Sequence, residues 1–228
     1  MSKKKVVVCM PVHSGVEGET TQRLIDLLAH KSIIGRIQVN GSLIHKARNK
    51  LLDLAIERFG DATHLLFVDS DMTFDNDVFQ KLLDSDKSVI GALSVEKQVP
   101  FHPCVVPLDE DWKNLKPIIE SEGVERVDSI GMGFTLIEMD LIKKAKKVAK
   151  FPFFFEKDTE LGEDYNFCRV LRGLGESIHV HCGARVGHLA YLPVGIEHFK
   201  YNLANNPATD KLRESIFAQD KVQDSKDK

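Results

Sequence analysis

Two aspartates, Asp69 and Asp71, stand one residue apart where the apolar run His64-Leu65-Leu66-Phe67-Val68 stops. Such a run reads as a strand buried in a parallel sheet, and α/β folds place ligands beyond the carboxyl ends of strands. Two carboxylates there form a hard-oxygen site suited to Mg²⁺ or Mn²⁺ carrying a phosphate. A second acidic pair, Glu163-Asp164, opens a helix-like segment. A carboxylate there either takes a proton from a hydroxyl or simply complements the helix dipole. Arg48 and Asn49 fall in the first turns of another helix, where the guanidinium can meet a phosphate or an ordinary salt-bridge partner. Gly131-Met132-Gly133 suits either close approach of backbone to a ligand or a tight turn. His188, just past a strand, can offer an imidazole nitrogen to Mn²⁺. His179, His181, Cys182 and His188 match no structural zinc spacing.

Alternating strands and helices must position these groups. Val6 to Met10 reads as a first strand, followed by a ligand-facing loop, Pro11-Val12-His13-Ser14-Gly15. Thr20 to His30 has helical spacing, Ile33 to Val39 is a strand, and Ser42 can cap a helix from about Leu43 to Phe59. In that helix Ile44, Ala47, Leu51 and Leu54 form the apolar stripe, with Arg48 and Asn49 off its centre. After Asp71, Asp75 can cap a short helix, and Ser88 to Leu93 is a fourth strand. The alternation predicts a mostly parallel sheet flanked by helices. Four prolines between Pro100 and Pro117 break the pattern, so segment 97–130 reads as loops and short strands. A strand through Ile137, a basic helix from Met139 to Val148, and a helix from Leu161 to Leu174 follow. Glu176 to Val180 and Ala184 to Val186 read as two strands, and 194–217 as helix broken near Pro207. Residues 219–228 carry six charges and one apolar side chain, which predicts a disordered tail.

Three segments in order resemble nucleotide-sugar glycosyltransferases of the GT-A fold, of the family 2-like group. Cys9-Met10-Pro11-Val12-His13 resembles the first strand and uridine-facing loop. Ala47-Arg48-Asn49 followed by Leu65 to Asp71 resembles the A-R-N helix and the D-x-D strand. Gly162-Glu163-Asp164, with Phe167-Cys168-Arg169 and Leu171-Arg172, resembles the later acidic motif. The resemblance spans about residues 5 to 190. It implies one GT-A-like (Rossmann-like) domain over 1–218. That domain would have a nucleotide-binding half at about 5–95, a small mixed acceptor-side and catalytic half at about 96–190, and C-terminal helices at 191–218. It further implies a metal-dependent hexosyl transfer from a nucleoside diphosphate sugar, UDP-sugar favoured, to an acceptor hydroxyl, with inversion. Asp164 would be the general base and Glu163 its support. Asp71, Asp69 and His188 would hold Mn²⁺ or Mg²⁺, with Asp69 near the ribose. Pro11, Val12 and His13 would wall the base pocket, and Ser70, Arg48, Asn49, Gly131 and Gly133 would face the donor.

A haloacid dehalogenase-type phosphatase is the rival enzyme: Asp69-Ser70-Asp71-Met72-Thr73 fits D-x-D-x-T, with Asp69 as nucleophile and Asp71 as acid/base. That motif normally ends the first strand, and no second aspartate follows closely after Asp164. A calcium loop counted from Asp69 fails, because Phe74 and Gln80 occupy its glycine and glutamate positions. A catalytically silent sugar- or nucleotide-binding relative is the non-enzymatic alternative.

Composition agrees with a globular chain: 228 residues, 43% hydrophobic and 29% charged. A net charge of −3 gives no nucleic-acid footprint. No apolar run approaches the roughly 20 residues of a membrane span, and the four cysteines lack C-x-x-C pairing. These features predict a cytoplasmic chain with free thiols. The acceptor, whether glycan, lipid, protein or small molecule, has no readable motif.

Overall fold

The computed structural model describes residues 4–98, 101–148, 153–154, 162–191 and 195–206. Strand β1 (Val6–Val12), helix α1 (Gly18–Leu28), β2 (Ile33–Asn40), α2 (Ile44–Arg58) and β3 (His64–Val68) alternate as the patterning predicts. They are followed by β4 (Met72–Phe74), α3 (Asn76–Asp84), β5 (Val89–Leu93), β6 (Val105–Val106), α4 (Leu115–Glu120), β7 (Val124–Val127) and β8 (Ser129–Ile130). Then come β9 (Phe134–Glu138), α5 (Met139–Val148), α6 (Glu163–Gly173), β10 (Ile178–His188) and α7 (Ile196–Asn205).

The large sheet runs β2-β1-β3-β9-β5-β10-β4, with β7 also on β10. β2, β1, β3, β5 and β10 share one direction, while β9, β7 and β4 oppose it. Alternate residues of β1 serve two cores. Val7 and Cys9 join α2, α5 and α6 on one face. Val6, Val8 and Met10 join α1 and α3 on the other. This period of two is what a strand buried on both faces requires. The result is a three-layer α/β architecture whose strand ends present one rim to ligands.

Three sequence expectations need correction. Pro11 and Val12 belong to β1, not to the following loop: they pair with Val39 and Asn40 of β2, and Val12 is buried. Pro11 is tolerated because the ladder to β3 has already ended at Cys9. The two late strands are one, β10, whose register on β5 breaks between His181 and Arg185. The irregularity falls at Gly183, where a Cβ would lie 2.7 Å from the Glu122 carbonyl oxygen. Leu43, not Ser42, is the N-cap of α2, and it makes no side-chain cap bond. Asp75 does sit at the N-cap of α3, although its side chain accepts no cap bond.

The chain divides into two compact units, residues 1–190 and 191–228. In the second, the described part is mainly α7. The expected tail at 219–228 lies outside the described residues. Among those residues no helix is long and apolar enough to cross a membrane.

Candidate active site

Arg48 is the centre around which the separated motifs meet. One terminal nitrogen, Nη2, donates to both carboxylate oxygens of Asp69, at 3.0 and 2.9 Å. The other, Nη1, donates to Glu163. The Arg48 side chain is only 4% exposed, so it is a buried charge held by two carboxylates rather than a surface pair. Its carbon lies 5.8 Å from the Phe154 ring centroid. Burial pulls the guanidinium pKa down, but the charges of Asp69, Glu163 and Asp164 outweigh it, so the group stays charged. The apolar stripe of α2 is thus interrupted by a buried cation: Ala47, Arg48, Leu51, Leu52 and Ala55 all face inward. Nε of Arg48 is buried without a hydrogen-bond partner among the described residues.

The strand ends fix these groups. Asp69 follows β3, and its backbone N–H donates to Gly133 O at 2.9 Å. A Cβ on Gly133 would come 3.0 Å from Met72 Sδ and 3.6 Å from Asp69 Oδ2. A Cβ on Gly131 would come 2.9 Å from Cys104 Cβ and 3.7 Å from Asp164 Oδ2. The two glycines therefore let one turn of chain run past both carboxylates. Asp164 sits in the first turn of α6 and accepts a 2.9 Å bond from Tyr165 N–H. Burial pushes its pKa up to about 6; Arg48 opposes this, while Glu163 and Asp69 add to it. A carboxyl so tuned can accept a proton near neutral pH.

Asp71 and His188 are brought together where β4 and β10 pair. β10 and β4 are antiparallel neighbours with His188 opposite Met72, and Leu189 N–H donates to Asp71 O at 2.8 Å. The Asp71 carboxylate is ion-paired with Lys97. His188 Nδ1 hydrogen-bonds Val95 O at 2.5 Å. As a donor to that carbonyl, Nδ1 leaves Nε2 with the lone pair, the arrangement a metal-binding imidazole uses. Among the described residues no three His, Cys, Asp or Glu side chains form a metal cluster. A cation that shares its shell with phosphates needs only one or two carboxylates from the protein. The Asp71 carboxylate is occupied by the Lys97 ammonium, which a divalent ion would have to displace.

Other expected site residues are placed differently. The Asn49 side chain donates to His45 O and Phe154 O and accepts from Phe154 N–H at 3.1 Å, so it braces residue 154. Phe154 stacks on Phe167 at 4.3 Å between ring centroids and is core. Ser70 contributes its carbonyl to Glu17 N–H at 2.9 Å. His13 is exposed at the end of β1, and Pro11 and Val12 are buried within it. Sequence reasoning missed Lys97, the Val95 carbonyl and Cys104. Only Lys97 had a visible signal, a basic residue in the loop after a parallel strand.

No family model and no curated sequence matches the chain. Solved structures do share the fold. The chain is similar to A197 from STIV, with a TM-score of 0.55 and 18% identity over 84% of this chain and 96% of that one. It is equally similar to GalNAc-T7 crystallised with UDP, GalNAc and Mn²⁺, with a TM-score of 0.55 and 10% identity over 84% of this chain and 44% of that one. At such identities the likeness concerns fold, and the fold is GT-A-like: a mostly parallel sheet with acidic side chains at its strand ends.

Proposed function

We propose that this chain is a metal-dependent glycosyltransferase. It moves a sugar from a nucleoside diphosphate, UDP favoured, to an acceptor hydroxyl with inversion. The observation that carries this reading is the meeting of the A-R-N helix, the D-x-D strand end and the Glu163-Asp164 pair on one buried guanidinium. GalNAc-T7, with UDP and Mn²⁺ in its structure, supports the same reading by fold.

Asp71 and His188 Nε2, with Asp69 behind them, are the residues that would hold Mn²⁺ or Mg²⁺. The bound ion supplies charge neutralisation for the leaving diphosphate. Asp69 and Glu163, braced by Arg48, keep the rim of the pocket fixed, so that little reorganisation is needed during reaction. Gly131 and Gly133 let the chain pass tightly between Cys104, Met72 and the site carboxylates, where a side chain would collide. Asp164 accepts the acceptor hydroxyl proton as that oxygen bonds to the anomeric carbon. The bond from that carbon to the diphosphate oxygen breaks on the opposite face, and the diphosphate departs with the electron pair. A phosphatase that uses Asp69 as nucleophile has less support, since both its oxygens accept from Arg48.

Thermal unfolding with UDP, GDP, CDP, ADP or dTDP, each with Mn²⁺, Mg²⁺ or EDTA, tests the proposal. A ligand at a hundred times its dissociation constant adds about 2.7 kcal/mol, roughly 5–10 °C for a chain of this size. A shift that needs both one diphosphate and the metal is expected. Stabilisation by Mg²⁺ with a phosphate mimic alone would instead support the phosphatase.

A further inference from the structure

A cavity of about 420 Å³ lies along α6 and beside β8, and the functions assigned above leave it unused. It is within the roughly 300–1,000 Å³ of small-molecule sites. Two of its walls lead to the proposed base. Tyr165 and Asn166 line it and directly follow Asp164 in α6. Ser129 lines it as well, and two residues further on Gly131 faces Asp164.

The lining has a definite chemistry. Trp112 borders the cavity yet is 58% exposed, a large aromatic face left to solvent. Asn166 is 1% exposed and accepts a 2.9 Å bond from Arg169 Nη2. Arg172 is ion-paired with Asp128, itself 8% exposed. The Arg172 guanidinium and the Asp128 carboxylate, fixed by one another, still offer further donor and acceptor positions, because a guanidinium has five N–H donors and a carboxylate about four acceptor sites. An indole face beside fixed, fork-shaped polar groups matches a sugar ring, which offers C–H bonds on one face and adjacent hydroxyls at its edge. Charge narrows the class further. Arg172 is balanced by Asp128, and Arg169 and Glu110 are the remaining charged residues of the lining. The walls carry no net charge, which disfavours a phosphorylated or acidic ligand.

We propose that this cavity is the acceptor subsite, and that it takes the terminal unit of an uncharged saccharide. That unit would stack on Trp112 and hydrogen-bond to Arg169 and the Arg172–Asp128 pair. The word acceptor rests on the transferase reading; the saccharide site itself does not.

Trp112 is the only tryptophan of the chain, so its emission reports on this cavity alone. The full chain is titrated with lactose, maltose, chitobiose and mannobiose, and with glucuronic acid and glucose 6-phosphate as anionic probes. Thermal stabilisation by UDP and Mn²⁺ is measured on the same samples. The expected result is a saturable emission change with a neutral disaccharide, at least about tenfold weaker in Arg169→Ala, whose UDP–Mn²⁺ stabilisation is unchanged. No change with any neutral disaccharide up to about 50 mM, well past millimolar affinity, overturns the site. A response to the anionic probes alone overturns its neutral character. A neutral disaccharide that binds while no nucleotide stabilises the chain supports the saccharide site and overturns its acceptor role.

Discussion

Replacing Lys97 by Met tests the cation site at its weakest restraint. The substitution keeps most of the side-chain stem and removes the charge that sits on Asp71. One loop engages both candidate ligands: Lys97 pairs with the Asp71 carboxylate, and Val95 O takes the His188 ring. A divalent ion must therefore displace an ammonium to reach Asp71, so removal of that ammonium should tighten metal binding. The magnitude follows from exposure. The Lys97 side chain is 44% exposed and that of Asp71 19%, so solvent screens much of the attraction. Partly exposed pairs of this kind contribute about 0.2–1 kcal/mol. That corresponds to Mn²⁺ binding tighter by about 1.4- to 5-fold. The assay is Mn²⁺ electron paramagnetic resonance without nucleotide, in which free ion gives the signal and bound ion does not. The gain should shrink as ionic strength rises, because the competing pair is itself screened. Unchanged or weaker Mn²⁺ binding in Lys97→Met would refute the reasoning, since Lys97 would then not be competing with the ion for Asp71. No Mn²⁺ binding by either protein, with UDP present as well as absent, would remove Asp71 and His188 as ligands.

Three further outcomes are expected. The folded pKa of Asp164, about 6, lies above its ordinary 3.8, so the stability it contributes is complete below about pH 3.8 and is lost as pH rises through 6. Asp164→Asn should therefore unfold at a higher temperature than the parent at pH 7–8, with the gap closing toward pH 4, while kcat falls at least about a hundredfold. Arg48→Met leaves Asp69 and Glu163 without their buried partner, so unfolding in urea should show a loss of about 3–5 kcal/mol. Gly131→Ala forces a Cβ to 2.9 Å from Cys104 Cβ, and a loss of about 1–3 kcal/mol by the same measurement is expected from overpacking.

The parts of the fold that were legible are those in which chemistry repeats along the chain. Apolar residues throughout β1 and from Leu65 to Val68 of β3 read as strands buried on both faces, and the site aspartates follow directly from where β3 stops. Direction within the sheet was not legible. β9 enters between β3 and β5 and runs against both, but alternation reads the same in either direction. Nor was the burial of Arg48, because a helix pattern scores a guanidinium as solvent-facing. Its place in the core depends on Asp69 and Glu163, which come from 21 and 115 residues away. Lys97 and Val95 act from a loop, where no period marks the contributing residue.

The choice of arginine at position 48 follows from the same geometry. Two carboxylates from different elements must be held at once, one through Nη2 and one through Nη1. A planar fork with fixed donor directions does this, whereas an ammonium is a point charge that sets no angle between its partners. Arg48→Lys would keep the charge and lose the bracing. If charge alone mattered, Lys would restore nearly all the stability lost in Arg48→Met. If the fork matters, Lys would restore part of the stability, and the relative placement of β3 and α6 would loosen. Asp164, one residue along α6 from Glu163, would then lose its fixed distance from the strand-end aspartates. The expected signature is a pH–rate profile whose acidic limb shifts away from about 6, because the neighbouring charges that tune Asp164 are no longer held where the fork placed them.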